Sequence, residues 1–404
     1  MKFLLLALAG TVLAAPQPLP QVKLEQRSNV RRSNGTLSSL VSGTPAGFAS
    51  SVTGGGDAAA VTPTSIAELT SYLGDDQARV IVLTQTFDYT DSEGTKTSSG
   101  CSPWGTAAGC QIAIDANSWC ENYEPDAPTV SSITYNAAGV EGITVASDKT
   151  IIGQGTSGVI KGKGLRMANG VSNIIIQNIH VTDINPQYVW GGDGITIDGA
   201  DLIWIDHCKT SLIGRQHIVL GTESSGKVTI SNNELDGQGN YSATCNGDQY
   251  WGMYFTGASD SITLKGNYIH HTSGRGPKVG GEGTTTLHAV NNYFGPTSSG
   301  GHNFEIGDGA YVLAEGNYFY NSPNPVETSS LTGSLYAVSS SDSSCESALG
   351  RTCQANGYSS GSGSLSGTSS DVLSKFSSGS SIAAAESADT VSSSVPSSAG
   401  IGKI

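Results

Sequence analysis

Six short β-rich runs in the middle of the chain end in a similar way. They are SNIIIQN (172–178), DLIWID (201–206), KVTISNN (227–233), SITLKGN (261–267), TTLHAVNN (285–292) and YVLAEGN (311–317). Their closing residues, Asn178, Asp206, Asn233, Asn267, Asn292 and Asn317, are spaced by 28, 27, 34, 25 and 25 residues. A period of this length marks units that bury their apolar faces only by stacking on one another. Each unit holds β-branched runs between Gly and Asn turns, with almost no helical periodicity. The pattern predicts an all-β fold, a right-handed parallel β-helix, with aligned asparagines stacked in a hydrogen-bonded ladder. A β-sandwich with coincidental spacing is the alternative. Insertions at 179–192 and 234–252 are expected as long loops on one face, where binding concentrates.

The flanks are read by their own signals. TPTSIAELTSYL (62–73) predicts a capped helix, with Thr64 or Ser65 as N-cap, closing one end of the solenoid. Residues 88–128 read as turn-rich. From 338 the chain is rich in Ser and Gly, the composition of a flexible linker, with a short helix candidate at 371–376. Cys345 and Cys353 argue that its first part is tied down. Residues 41–385 are expected as one domain, with 386–404 a tail packed on it or trailing from it.

The opening MKFLLLALAGTVLAAPQPLP has Lys2, an apolar run over 3–8 and small residues at Ala14 and Ala15. It reads as a signal peptide of about 19 residues, implying a secreted, extracellular protein. Residues 20–40 read as a flexible N-terminus or a pro-segment, with Arg31-Arg32 as a dibasic cleavage point or an ordinary exposed pair. Seven cysteines fit an oxidising compartment and leave at least one unpaired, with buried-looking Cys208 the candidate. Asn34-Gly-Thr and Asn240-Tyr-Ser are N-glycosylation acceptors. No C-x-x-C or H-x-x-x-H pair argues for zinc. The net charge of −14 excludes nucleic acid and anionic membranes as natural partners.

One stretch breaks the apolar rule. In LIGRQHIVLG (212–221) an arginine, Arg215, stands inside what otherwise reads as a buried strand. A buried guanidinium needs a partner. Three further stretches stand out: WGGDGITIDGADLIWIDHC (190–208), CNGDQYWGMYF (245–255) and HHTSGRGPKVGG (270–281).

With SYLGDDQARVIVLTQTFDYTDSEGT (71–95), WCENYEPDAP (119–128), KGKGLR (161–166), TDINPQYVWGGD (182–193), IGRQHIVLG (213–221), HTSGRGPKV (271–279) and FEIGDG (304–309), the chain resembles the pectate lyase superfamily, and within it the fungal pectin lyases. The resemblance covers the chain after about residue 41. It implies a parallel β-helix and β-elimination: loss of the C5 proton of a galacturonosyl unit, then cleavage of C4–O4 to leave a 4,5-unsaturated end. The R-x-P arginine of the family maps to Arg275, as base or as enolate-stabilising cation. An arginine base needs neighbouring positive charge and desolvation, for which Lys278 and Arg215 are the candidates. Lys278 is also expected to contact substrate oxygen.

In calcium-dependent members, acids on adjacent coils hold the metal. Here the comparable slot reads Arg215 to Val219, an arginine and a valine in place of two carboxylates, with Asp193 remaining as counter-ion to Arg215. The resemblance thus implies no cofactor and no metal, and methyl-esterified galacturonan as substrate, acted on by a monomer. Trp104, Trp119, Tyr123, Trp190, Trp251 and Tyr254 are candidates to stack on sugars, each with a core role as rival, and Trp204 is expected in the core. His217 could line the cleft or be structural. Disulfides Cys101–Cys120, Cys110–Cys245 and Cys345–Cys353, with Cys208 free, are likewise implied by the resemblance. The alternatives are a calcium-dependent pectate lyase and a non-catalytic β-helix that binds polysaccharide. A hydrolase on this fold would need paired carboxylates that the coils do not show.

Overall fold

The computed structural model describes residues 36–281, 283–340, 343–376 and 382–404. The signal-peptide reading, the Arg31-Arg32 pair and the Asn34 acceptor lie outside these residues. The described chain winds through three parallel sheets of ten, eight and nine strands. One coil shows the path. Asp201–Asp206 lies in the first sheet, Lys209–Ile213 in the nine-stranded third sheet and Ile218–Leu220 in the eight-stranded second sheet. The chain then returns to the first sheet at Gly226–Ser231. The sequence alternates within each strand, and stacking turns the alternation into columns. Ile174, Ile203, Val228, Ile262, Leu287, Val312 and Leu335 sit in register down the first sheet, all buried. Each such side chain contributes about 1.5–3 kcal/mol of burial. Phe294, Phe319 and Tyr358 stack through the far coils, at 4.9 and 5.3 Å between centroids.

The ladder exists, with a register that differs from the sequence reading at its start. The backbone N–H and Nδ2 of Asn233 donate to Oδ1 of Asn267, both at 2.9 Å. The same pair of bonds runs from Asn267 to Asn292, Asn292 to Asn317 and Asn317 to Asn356. Each Nδ2 also donates to a carbonyl of the preceding coil, as Asn292 does to Leu264 at 2.8 Å. Asn178 and Asp206 are not members. The turn into the third sheet is made by a left-handed residue, and the ladder position follows it. Asn178 (φ 58°) and His207 (φ 48°) occupy that left-handed position, so Cys208 fills the ladder site in its coil and donates its N–H to Asn233 Oδ1. Asp206 instead receives Ser231 Oγ, Asn232 Nδ2 and Gln177 Nε2.

Ser65 caps the helix Ile66–Gly74 by accepting from Glu68 N–H, while Glu68 accepts from Thr64 N–H. Its Leu69 and Leu73 enter the core at the end of the coils. The 88–128 region is more ordered than turn-rich composition suggests. It forms a four-stranded sheet from Thr95–Cys101, Ile112–Ile114, Thr129–Asn136 and Tyr188–Val189, plus a short helix at Trp119–Tyr123. The Ser-rich tail is not a linker where it is described. Gly357–Tyr358 adds a strand to the third sheet, and the helix Ala388–Ser398 packs Val391 and Val395 on Tyr293. Disulfides join Cys101–Cys120, Cys110–Cys245 and Cys345–Cys353, while Cys208 is free and buried. Trp204 packs with Val52 and Ile175 under the N-terminal segment.

Replacing Asn292 by alanine removes buried side-chain partners of Leu264 O, Asn267 and Asn317 on the two neighbouring coils, at about 1–3 kcal/mol each. Denaturant unfolding should show a loss of about 3 kcal/mol or more. The thiol of Cys208 is pushed up to about 12 by burial, so Ellman's reagent should find no thiol in the native protein and one after unfolding.

Candidate active site

The edge where the chain passes from the third sheet to the second carries the arginines. Backbone bonds order this edge coil by coil. Gly194 N–H donates to Gln216 O, His217 N–H to Trp251 O, Met253 N–H to Arg275 O and Gly276 N–H to Asn303 O. Asp193, Arg215, Trp251, Arg275 and His302 therefore come from successive coils along one side of the molecule. Gly252 makes the middle step feasible: a Cβ there would lie 2.4 Å from Arg275 O.

Arg215 meets two partners. Its Nη1 lies 3.4 Å from Asp193 Oδ2, and its guanidinium sits 4.1 Å from the centre of the Trp190 ring. Asp193 Oδ1 also accepts the N–H of Gln216 at 2.9 Å. The lone charge in the apolar stretch is thus paired and stacked at the rim, with Arg215 and Asp193 18% and 21% exposed. Such a cation–π contact contributes about 0.5–2 kcal/mol.

Arg275 takes a left-handed backbone (φ 46°) ahead of the cis Gly276-Pro277 bond. Its guanidinium faces three rings, Tyr250, Trp251 and Tyr254, at 5.4, 4.8 and 4.9 Å. Its buried Nε has no hydrogen-bond partner among the described residues. Lys278 lies on the outward row of the second sheet, in register between Tyr254 and Glu305. Its Nζ is 5.7 Å from the Tyr254 ring centre.

The nearest charged group to both cations is an acid that the sequence reading passed over. Glu305 Oε2 lies 3.8 Å from Arg275 Nε and 3.9 Å from Lys278 Nζ. Its other oxygen accepts from Tyr250 Oη at 2.9 Å and bonds His302 Nε2 at 2.8 Å. Burial raises the Glu305 pKa, but the His302 bond and the Arg275 charge outweigh it and hold the carboxyl below its ordinary value. Of the two candidates for charge around Arg275, Lys278 shares the Glu305 carboxylate with it, whereas Arg215 is paired with Asp193. The signal was present in FEIGDG: Glu305 lies one coil, 27 residues, beyond Lys278.

The aromatic candidates converge. Tyr123, Trp119, Trp104 and Trp251 follow one another with centroids 6.1, 6.3 and 5.6 Å apart, and Trp190 joins Trp119 at 6.0 Å. They differ in access. Tyr123 is 70% exposed, whereas Trp251 is 8% exposed and donates its Nε1–H to Gln111 Oε1 at 3.0 Å. Trp251 is therefore a wall behind Arg275 more than a platform. Gln111, fully buried and not anticipated, bonds the carbonyls of Pro186 and Gly214 through Nε2 and so links Trp251 to the backbone leading into Arg215. His217 does not reach the cleft. It is buried, bonded through Nδ1 to Thr210 Oγ1 at 2.8 Å, and burial lowers its pKa to about 4. Residues 214–217 lie in the bend between two strands, where strand alternation does not apply, and His217 turns inward while Arg215 faces the rim. The Asn240 acceptor is exposed on the loop over 237–252.

The residues do not suit a calcium ion at this edge. Calcium takes six to eight oxygens, whereas Asp193 is engaged by the Arg215 guanidinium and the Gln216 N–H.

The profile described as pectate lyase matches residues 129–404. The chain is 60% identical to "Probable pectin lyase B" of Aspergillus fumigatus over 364 residues, 90% of this chain and 94% of that protein. It is also 60% identical to "Pectin lyase A" of Emericella nidulans, over 89% and 93% of the two chains. Among solved structures, a pectate lyase from Acidovorax avenae subsp. citrulli superimposes with a TM-score of 0.55 at 18% identity, over 95% and 99% of the chains. A pectate lyase bound to a hexasaccharide gives 0.55 at 19% identity, over 90% and 98%. These last two share the fold. The chain belongs to the pectate lyase family, and its near relatives there are fungal pectin lyases.

Proposed function

We propose that the protein is a secreted pectin lyase that cleaves α-1,4 links of methyl-esterified galacturonan by β-elimination without a metal. The observation that carries this reading is the Asp193–Arg215–Trp190 group, a fixed organic cation paired and stacked at the rim, at the position where the resemblance implies that calcium-dependent members gather carboxylates. A methyl ester is neutral and withdraws electrons from C5, so its proton leaves with less help than that of a free uronate. The aromatic ribbon from Tyr123 to Trp251 suits a neutral, apolar-edged chain, and the overall charge of −14 disfavours a polyanion.

In the mechanism, the polymer lies along the edge ordered by Asp193, Arg215, Trp251 and Arg275. Arg275, walled from water by three rings, acts at C5. Of the two roles the resemblance implies, base or cation, the Glu305 carboxylate beside Arg275 favours the second: as guanidinium it stabilises the enolate that gathers on the ester oxygen while the C5 proton passes to solvent. The C4–O4 bond then breaks, and the O4 alkoxide takes its proton from solvent. Glu305 fixes Arg275 and Lys278 against one carboxylate, so that both cations point at the same sugar, Lys278 toward a substrate oxygen. The disulfides suit secretion.

Arg275→Ala should lower kcat on highly esterified pectin about 10³-fold or more, followed by absorbance of the unsaturated product. Wild-type turnover should survive EDTA. Activity confined to de-esterified polymer and restored by calcium would instead identify a pectate lyase, and binding without product a non-catalytic β-helix. Glu305→Gln leaves Arg275 and Lys278 facing each other without their shared anion. It should cost about 10–100-fold in kcat/KM, with the thermal melt showing that the fold is retained.

A further inference from the structure

The third sheet holds a cluster unrelated to the elimination chemistry. Asp236 and His270 are register partners on neighbouring coils, and His271 follows His270 in a left-handed turn (φ 52°). One ligand atom from each of the three lies within 4.8 Å of the others. His270 Nδ1 and His271 Nδ1 are 2.7 Å apart, and His270 Nδ1 is 3.8 Å from Asp236 Oδ1. The geometry points to a binding site for one divalent transition cation of the zinc class, held by His270 Nδ1, His271 Nδ1 and Asp236 Oδ1, with solvent completing the shell.

The orientation of His270 supports this assignment independently. Its Nε2 lies 3.3 Å from Glu234 Oε1, and a carboxylate there can only accept. His270 Nε2 therefore carries the hydrogen, and Nδ1 presents its lone pair to His271. A second carboxylate that fixes the tautomer of a ligating histidine is the usual outer partner of a protein metal site. Tyr268 stacks on the same ring, 4.1 Å between centroids, and holds its plane. Lys209 Nζ takes Glu234 Oε1 at 2.9 Å and Asp236 Oδ2 at 3.0 Å, which leaves Asp236 Oδ1, bonded among the described residues by the Gln238 N–H, turned to the histidines.

Without metal, His271 Nδ1–H donates to His270 Nδ1. Binding releases that Nδ1 proton to solvent while Nε2 of His271 takes one up, so both imidazoles bind neutral, and the two nitrogens separate to about 3.3 Å around an ion at about 2.0–2.1 Å from each. Two imidazoles and one carboxylate favour zinc over calcium, which wants oxygen alone. The site anchors the start of the segment leading to Arg275, since His271 N–H already donates to Pro296 O and His271 O accepts from Gln249 N–H.

Calorimetric titration of the EDTA-treated full chain with Zn²⁺ alone tests the assignment. One equivalent should bind with a micromolar or tighter Kd and raise Tm, and Ca²⁺ should not compete. His271→Asn, which tolerates the left-handed turn, should weaken binding at least 100-fold, and Glu234→Gln about 10–100-fold. Asp236→Asn serves if His271→Asn does not fold. Failure to bind one equivalent, equal binding of Ca²⁺, or unchanged affinity in the folded variant would overturn the site and leave an ion-pair network.

Discussion

Parallel stacking in fixed register is the constraint on which the rest depends. A backbone bond such as Met253 N–H to Arg275 O converts a sequence separation of about one coil into van der Waals contact. The strand pairs alone would permit a slip of two residues without turning a side chain over. The asparagine ladder removes that freedom, because each Nδ2 bonds both the next asparagine and a carbonyl of the preceding strand. Buried amides satisfied on every side specify one register, and a half-satisfied ladder would cost more than an apolar turn.

The candidate site inherits its precision from that register. None of its charged residues needs a long-range search for a partner. Lys278 finds Glu305 because they are register partners, and Arg215 finds Asp193 because Arg215 N–H donates to Gly192 O one coil before. The excursion over 95–136 brings the remaining wall. Its Trp104 and Trp119 are held by Cys101–Cys120 and Cys110–Cys245, the latter tying it to the loop that presents Trp251. A rigid solenoid thus sets the cations, while a disulfide-stapled insertion sets the aromatics.

This division also explains what the sequence made legible. The repeat disclosed the fold, and Arg215 disclosed its own partner, because one charge in an apolar strand asks a question with few answers. The ladder was misplaced at Asn178 and Asp206 because the eye aligns asparagines, whereas the chain aligns the residue after a left-handed turn, a turn occupied by Asn178 and His207 here and by glycine at Gly266 and Gly316. His217 was ambiguous because residues 214–217 lie in the bend between two strands, where no strand periodicity fixes which side chain turns inward. Order in 88–128 came from antiparallel pairing outside the repeat, and its spacing follows no coil. Asp236, His270 and His271 escaped because metal-ligand spacing rules assume ligands close in sequence or on one helix. In a solenoid, ligands are one coil apart.

The Arg215 site has an energetic asymmetry that bears on substrate choice. A bound calcium is exchangeable, and its charge is spent on whichever carboxylates surround it, including those of a uronate. The Arg215 guanidinium is covalently fixed, already shares its charge with Asp193, and presents one face to Trp190. Little of its field remains to neutralise a free substrate carboxylate, so an ionised uronate would bring charge into an aromatic-lined cleft without full compensation, a costly desolvation. A methyl ester brings none. In the proposed pectin lyase, discrimination would come from penalising the wrong substrate as much as from attracting the right one, with the pairing of Arg215 and Asp193 setting the penalty.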